Sequence, residues 1–132
     1  MRIFDQESTD WRELQDRVAQ LFSEIGCDVK VAEQVTLVRG QKEIDVWVRD
    51  PQTTPASVYL CECKFWSKPV PQEVIHSFRT VISDFGAHRG FIISRAGFQA
   101  GAFTSGEDED GYVVIGHGES IVHWTRSFDN AG

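Results

Sequence analysis

The chain has 132 residues, 41% hydrophobic and 25% charged, a composition typical of one globular domain and too apolar for a disordered tail. No apolar run approaches the roughly 20 residues that a membrane span needs, and none follows the first residues as in a secretory signal, so we expect a cytoplasmic protein that does not contact a membrane. The formal net charge of -7 argues against nucleic-acid binding by the chain as a whole.

The first predicted element is a helix that ends at Gly26. Thr9 or Asp10 can cap its N-terminus, and Glu13 stands three residues after Asp10, as in a capping box. Its apolar residues recur at helical spacing: Trp11, Leu14, Val18, Leu21, Phe22 and Ile25. Gln15 lies on the same side of this helix, and a buried amide needs hydrogen-bond partners.

Three strands are predicted next. Residues 27–38 are rich in Val, residues 43–49 alternate between apolar and polar, and residues 57–65 form a third strand. The segment 50–56 contains two prolines, which cannot continue a sheet ladder, and we therefore expect a loop there.

A second helix and several shorter elements complete the prediction. The apolar residues of this helix, which ends at Gly86, are Val70, Val74, Phe78, Val81 and Phe85. Residues 90–94 form a short apolar strand, residues 97–103 a short helix, and residues 112–115 and 121–124 the final strands. The order predicts an α/β fold with an αβββαβ core and a mixed central sheet flanked by helices.

The second and third strands bring charged residues together. If they pair as a hairpin centred on residues 53 and 54, Asp45 lies directly across from Glu62, with Cβ atoms about 5 Å apart. Lys64 lies two residues beyond Glu62, hence on the same face. The other face is apolar and pairs Ile44 with Cys63, Val46 with Cys61 and Val48 with Tyr59. One register thus buries the apolar face and gathers an Asp, a Glu and a Lys on the opposite one.

These three side chains suit metal-dependent phosphodiester hydrolysis. Two close carboxylates repel each other unless a cation lies between them, and their hard oxygens suit Mg²⁺. Such a metal lowers the pKa of a bound water, and a neighbouring lysine can orient that water and stabilise charge on the phosphate. A surface salt-bridge cluster on a structural domain is the alternative, and it predicts carboxylates more than about 8 Å apart.

The sequence around these residues resembles a known nuclease family. Glu43-Ile44-Asp45-Val46, a loop, and Cys61-Glu62-Cys63-Lys64-Phe65-Trp66 look like the Asp…Glu-x-Lys signature of the PD-(D/E)XK nuclease superfamily. The order of elements resembles its Mrr-like (type IV) restriction endonuclease branch over roughly residues 10 to 102. The resemblance implies one restriction-endonuclease-like domain over residues 1–132, with a core at about 10–102 and a β-rich tail at 103–132.

The resemblance also implies an activity and a set of roles. It implies a Mg²⁺-dependent DNA endonuclease, with Mn²⁺ as a substitute, that serves restriction of, or defence against, foreign DNA. Asp45 and Glu62 would be metal ligands, the Cys63 backbone carbonyl would complete the metal shell, and Lys64 would assist the water. Gln15 stands where many members carry a glutamate that points into the site. A homodimer is expected because duplex DNA has two strands, and a separate domain or subunit would supply sequence recognition.

Residues near this motif are candidates for contact with DNA. Between residues 30 and 95 the chain carries nine basic and seven acidic residues, so its acidic excess lies in the flanks, including the run 107–110. Lys42 and Lys68 are candidate phosphate contacts. Gln72 and His76 lie on the polar side of the second helix and are candidate groove contacts, although a solvated face is the alternative. We interpret the acidic run as a solvated loop, and a mimic of nucleic-acid charge is the alternative.

Two further interpretations remain. Cys61 and Cys63 could bind zinc with one of the histidines, but period 2 puts both sulfurs on the apolar face, which favours core packing. Three cysteines fit a reducing compartment better than a disulfide framework. The acidic balance and Gln15 also allow a catalytically weak nuclease fold that binds nucleic acid or a protein partner.

Overall fold

The computed structural model describes residues 10–96 and 98–99, together with the backbone of two later strands. The elements are α1 (Trp11–Glu24), β1 (Asp28–Leu37), β2 (Gly40–Asp50), β3 (Ser57–Lys64), α2 (Gln72–Phe85), β4 (Arg89–Ser94), β5 (Gly111–Gly116) and β6 (Ile121–Trp124). The predicted αβββαβ order is confirmed, and so are the two final strands. Neither described helix is long and apolar enough to cross a bilayer.

The strands form one mixed sheet. Its order is β1-β2-β3-β4-β5-β6. The pair β3–β4 is parallel, and the other neighbours are antiparallel. Because parallel strands need a crossover connection, α2 carries the chain from the end of β3 back to the start of β4. The predicted mixed central sheet is therefore confirmed.

The two helices cover opposite faces of this sheet, each over its own core cluster. The cluster under α1, here the α1 core, includes Leu14, Val18, Phe22, Val46, Val48, Cys61, Cys63 and Phe91. The cluster under α2, here the α2 core, includes Ile44, Leu60, Val70, Ile75, Phe78, Ile82, Ile92 and Phe98. Strand β3 contributes to both cores, so its side chains are enclosed from either side.

The helix ends follow the sequence signals, with one correction. Asp10 accepts a hydrogen bond from the Glu13 backbone N–H at 2.8 Å, and Gly26, with φ of 98°, follows the C-terminus of α1. Helix α2 ends at Gly86, with φ of 84°, as expected. Val70, however, precedes this helix and forms an isolated parallel bridge with Phe98.

The buried side of α2 is also displaced from the predicted one. Ile75, Phe78 and Ile82 are buried, whereas Val74 and Val81 are only partly covered. The inner face of the helix instead follows Ile75, Phe78 and Ile82, because these side chains pack into the α2 core. The half-covered valines are thereby left at the edge of the packing, where they can line a cavity.

The predicted hairpin register is confirmed for residues 46–50, but the predicted pairing of Asp45 with Glu62 is not part of the ladder, because β2 is irregular at Asp45. The pairs run from Val46–Cys61 to Asp50–Ser57, and the ladder with β3 stops one residue short of Asp45. The ladder with β1 also skips this position, where Ala32 has the left-handed φ of 54°.

This break in the ladders corrects the predicted apolar face. Ile44 was expected on the side of Val46, opposite Cys63, but it belongs to the α2 core whereas Val46 belongs to the α1 core. Regular period-2 alternation would put residues 44 and 46 on the same side. Since it fails here, β2 changes face across Asp45.

Some predictions fall outside the described residues. They are the acidic run 107–110, most of the short helix at 97–103, and the side chains of His117 and His123.

Candidate active site

Asp45 occupies the break in the β2 ladders. Its carboxylate accepts a hydrogen bond from the Cys63 backbone N–H at 2.7 Å. The side chain of Asp45 thus joins β2 to β3 just beyond the point where their ladder stops. A charge-assisted bond of this length fixes the orientation of the carboxylate.

The pKa of Asp45 is raised above its usual value. Burial is the main cause, because desolvation penalises the charged form. The Cys63 hydrogen bond and the positive charges of Lys64 and Lys42 act in the opposite direction. A cation bound at the carboxylate would therefore relieve a cost that these groups offset only in part.

Glu62 is a charged side chain in the centre of the sheet. It is only 7% exposed, on a strand whose neighbours Cys61 and Cys63 are buried. Burial raises its pKa, and the negative charge of Asp45 raises it further, while Lys42 and Lys64 lower it. Glu62 therefore interacts electrostatically with both Asp45 and Lys64.

Lys64 is held between an acid and an aromatic ring. Its Nζ lies 3.4 Å from Oε2 of Glu62 and 5.1 Å from the centroid of the Trp66 ring. These two contacts, an ion pair and a cation–π contact, limit the positions of the ammonium group. The ammonium therefore lies beside the Glu62 carboxylate.

The cysteines serve the core, as the alternation predicted. Cys61 and Cys63 are buried in the α1 core, and burial raises the pKa of both thiols well above the usual value. In the part of the chain that the structure describes, no three His, Cys, Asp or Glu side chains form a metal-binding group. A metal at Asp45 and Glu62 would therefore use two carboxylates together with backbone oxygen and water, a set that suits Mg²⁺.

Gln15 is buried on α1, as its helical position predicted. It is 4% exposed, and its Oε1 has no hydrogen-bond partner. A buried acceptor without a partner is costly, since it has lost its water. Core packing alone therefore gives no reason for a polar side chain at this position.

A cavity of about 440 Å³ opens beside Glu62 and Lys64, between the sheet and α2, and is called here the α2 cavity. Lys42, a predicted phosphate contact, lines it together with these two residues. The other predicted DNA contacts, Lys68, Gln72 and His76, are exposed and do not line the cavity. They remain predictions for a wider surface.

The rest of the cavity wall was not predicted. Trp66 closes one side, and Glu73 and Ser77 line it from α2, one helical turn apart. Apolar residues of the same helix line it as well: Val74, Phe78 and Val81. The helical spacing of Glu73 and Ser77 could have indicated a shared face, but which face meets the site depends on how tertiary packing rotates α2 about its axis.

The site thus combines two carboxylates with raised pKa values, an ammonium group held beside one of them, and an adjoining cavity that carries a second lysine. Such a set can bind a hard divalent cation at one end and a phosphate at the other.

Comparisons with known proteins agree with this architecture. A family model described as a restriction endonuclease, the Mrr catalytic domain, matches residues 6–125. Among solved structures, a protein of unknown function designated AF1548 resembles the chain with a TM-score of 0.57 at 24% sequence identity. The match covers 70% of this chain and 51% of AF1548, so the chain spans about half the length of that protein. This likeness concerns the fold alone. The search of curated proteins found no match.

Proposed function

The chain belongs to the Mrr-type restriction endonuclease family, and from this premise we propose that it is a Mg²⁺-dependent endonuclease that hydrolyses phosphodiester bonds of DNA. The observation that carries the proposal is the coupling of Asp45, Glu62 and Lys64 at the break in the β2 ladders. Restriction of, or defence against, foreign DNA is the role that fits this family.

The donor atoms of the site fit a magnesium ion. Asp45 and Glu62 are proposed as its ligands, with the Cys63 backbone carbonyl beside them. Burial raises the pKa of both carboxyl groups, so a divalent cation would favour their charged forms. When bound, Mg²⁺ would supply an acidified water and polarise a phosphoryl oxygen. Mn²⁺ is expected to substitute for it.

Two lysine side chains are proposed to bind the phosphate and stabilise its charge. The Lys64 ammonium, 3.4 Å from Glu62, would orient the attacking water and stabilise the negative charge that develops on the phosphate. Lys42, on the wall of the α2 cavity, would hold a neighbouring phosphate oxygen. Attack at phosphorus breaks the bond to the 3′ oxygen and leaves a 5′-phosphate and a 3′-hydroxyl.

Asp45→Asn tests this proposal with the fold preserved. The amide oxygen can still accept the Cys63 N–H, but the charge that binds the metal is gone. We expect nicking of supercoiled plasmid in Mg²⁺ to fall by on the order of a hundredfold or more. Glu43→Gln is the matched control, because Glu43 is an exposed acid on the same strand, and it should cleave at nearly the original rate. Full activity in Asp45→Asn would refute the assignment.

Double-strand cleavage is proposed to require a homodimer. One domain presents one Asp45–Glu62–Lys64 site, and duplex DNA has two strands. Sedimentation velocity with and without DNA tests this, and a strict monomer that nicks one strand at a time would overturn it.

One observation favours a second candidate function, a catalytically weak module that binds nucleic acid or a protein. Gln15 is a neutral amide on α1 whose Oε1 has no hydrogen-bond partner, and it stands at the position where the family resemblance implies a glutamate. It cannot add charge to the site. Calorimetric titration with Mg²⁺ and Mn²⁺ separates the two candidates, since the module predicts no binding at millimolar metal.

A further inference from the structure

The α2 cavity is larger than the reacting phosphate requires. Its charged end is formed by Lys42, Glu62 and Lys64, and it extends over α2. Its volume of about 440 Å³ lies within the range of roughly 300–1,000 Å³ that is usual for small-molecule sites. A phosphate bound by the lysines would leave the remaining volume open to whatever is attached to that phosphate.

The wall of this remaining volume is mainly apolar, with a few polar groups. Val74, Phe78 and Val81 supply aliphatic and aromatic surface. Trp66, a residue that is 40% exposed, adds an indole ring, and the Lys64 ammonium lies over that ring. A surface of this kind suits a flat, partly apolar ring attached to an anion.

Two polar side chains on α2 face the cavity and can form hydrogen bonds with a ligand. Glu73 and Ser77 lie four residues apart on the cavity side of the helix. A carboxylate accepts hydrogen bonds from exocyclic amino groups, and a hydroxyl both donates and accepts. A nucleobase presents both kinds of partner on its Watson–Crick edge.

We propose that the α2 cavity binds one unstacked nucleoside of the DNA strand, next to the phosphate held by Lys42 and Lys64. This inference rests on the proposed function for the identity of the strand, and it names a substrate class: DNA with an unpaired or extruded nucleotide beside the cleavage site. A base in this cavity cannot remain stacked in a duplex. The cost of unstacking is a few kcal/mol for a paired base and is least for a base that is already unpaired.

The first experiment uses mononucleotides without metal, so that it does not depend on cleavage. Deoxyadenosine 5′-monophosphate and deoxyribose 5-phosphate are titrated in EDTA into ¹⁵N-labelled protein. The readout is the Trp66 indole N–H signal, assigned with Trp66→Phe. We expect the nucleotide to bind about tenfold more tightly than the sugar phosphate, since base contacts of this kind are usually worth that much.

A matched pair of variants tests whether the base binds in the α2 cavity. Ser77→Phe fills the cavity from an exposed helix position and should abolish the tenfold difference. Ser83→Phe makes the same substitution at an exposed serine of α2 that does not line the cavity, and should leave the difference unchanged. Equal binding of the two ligands, binding of neither, or equal effects of the two variants would overturn the inference. The comparison of ligands on the unmodified protein decides the question even if Ser77→Phe does not fold.

A cleavage assay separates this inference from the proposed function. In Mg²⁺, a duplex with one unpaired base should be cut about tenfold faster than the fully paired duplex, and Ser77→Phe should remove that advantage. Equal rates on both duplexes, with cleavage still lost in Asp45→Asn, would end the nucleoside inference and leave the endonuclease. Nucleotide binding without cleavage would leave the cavity as the site of a binding module.

Discussion

Gly90→Ala should destabilise the protein, because α2 packs directly on the backbone of β4. A Cβ at Gly90 would lie 2.5 Å from Cδ1 of Ile82 and 2.9 Å from Cε2 of Phe78. Carbon atoms in good contact are about 3.5–4.0 Å apart, so α2 or its side chains would have to move by about 1 Å. Both neighbours are buried, with 0% and 3% of their surface exposed, and have little room to yield.

The expected cost follows from this crowding. Overpacking a core by one methyl group lowers the free energy of unfolding by about 1–3 kcal/mol. We expect the upper part of that range because the new methyl group would clash with two side chains. For a domain of this size, that lowers the melting temperature by on the order of 10 °C. Urea unfolding should show a lower midpoint with an unchanged m-value.

A double-mutant cycle tests the cause. Ile82→Val removes Cδ1, the atom closest to the new methyl group, at a cost of about 0.5–1.5 kcal/mol alone. The double variant should lose less than the sum of the two single variants, by about 1 kcal/mol. Strict additivity, or a Gly90→Ala effect below about 0.5 kcal/mol, would refute the close approach of α2 to β4.

Three further predictions concern single side chains. Asp10→Ala should lower the free energy of unfolding by about 1 kcal/mol by removing the cap of α1, and an unchanged urea midpoint would contradict this role. Gln15→Met should raise the unfolding free energy of the metal-free protein by about 1 kcal/mol, because it removes a buried acceptor that has no partner. The same substitution should lower nicking activity. A loss of stability would show that the amide has a structural role instead. The metal-free protein should lose stability as pH rises from about 4.5, the pKa of Glu62 in the unfolded chain, through its higher pKa in the folded protein, because the folded state holds this proton more tightly. The urea midpoint measured against pH should show this loss, and Glu62→Gln should make the profile flatter. An equally steep profile in Glu62→Gln would contradict the assignment to Glu62.

Much of the fold could be predicted from local patterns. The helical spacing around Val18 and the alternation around Val46 are governed by burial on one side of an element, and burial is a strong constraint. The hairpin register from Val46–Cys61 to Asp50–Ser57 followed because a slip by one residue would expose its apolar face. The burial of Gln15 followed from its place on the helix in the same way.

The irregular features could not be predicted. Nothing in the sequence marks Ala32 for the left-handed φ of 54°, which alanine disfavours, so the change of face between Ile44 and Val46 was missed. Glu73 and Ser77 line the cavity because of the way α2 is rotated about its axis. The tertiary packing of Ile75 and Ile82 sets this rotation, and the spacing of the valines in the sequence does not predict it. Functional sites are where such local irregularities tend to gather.

Crystals of the protein soaked in Mn²⁺ and measured at the manganese absorption edge would test the central claim most directly. The account predicts one anomalous peak within direct-ligand distance of the carboxylates of both Asp45 and Glu62, and none there in Asp45→Asn crystals. Fully loaded crystals without a peak between these two side chains, or with manganese bound only elsewhere, would contradict it.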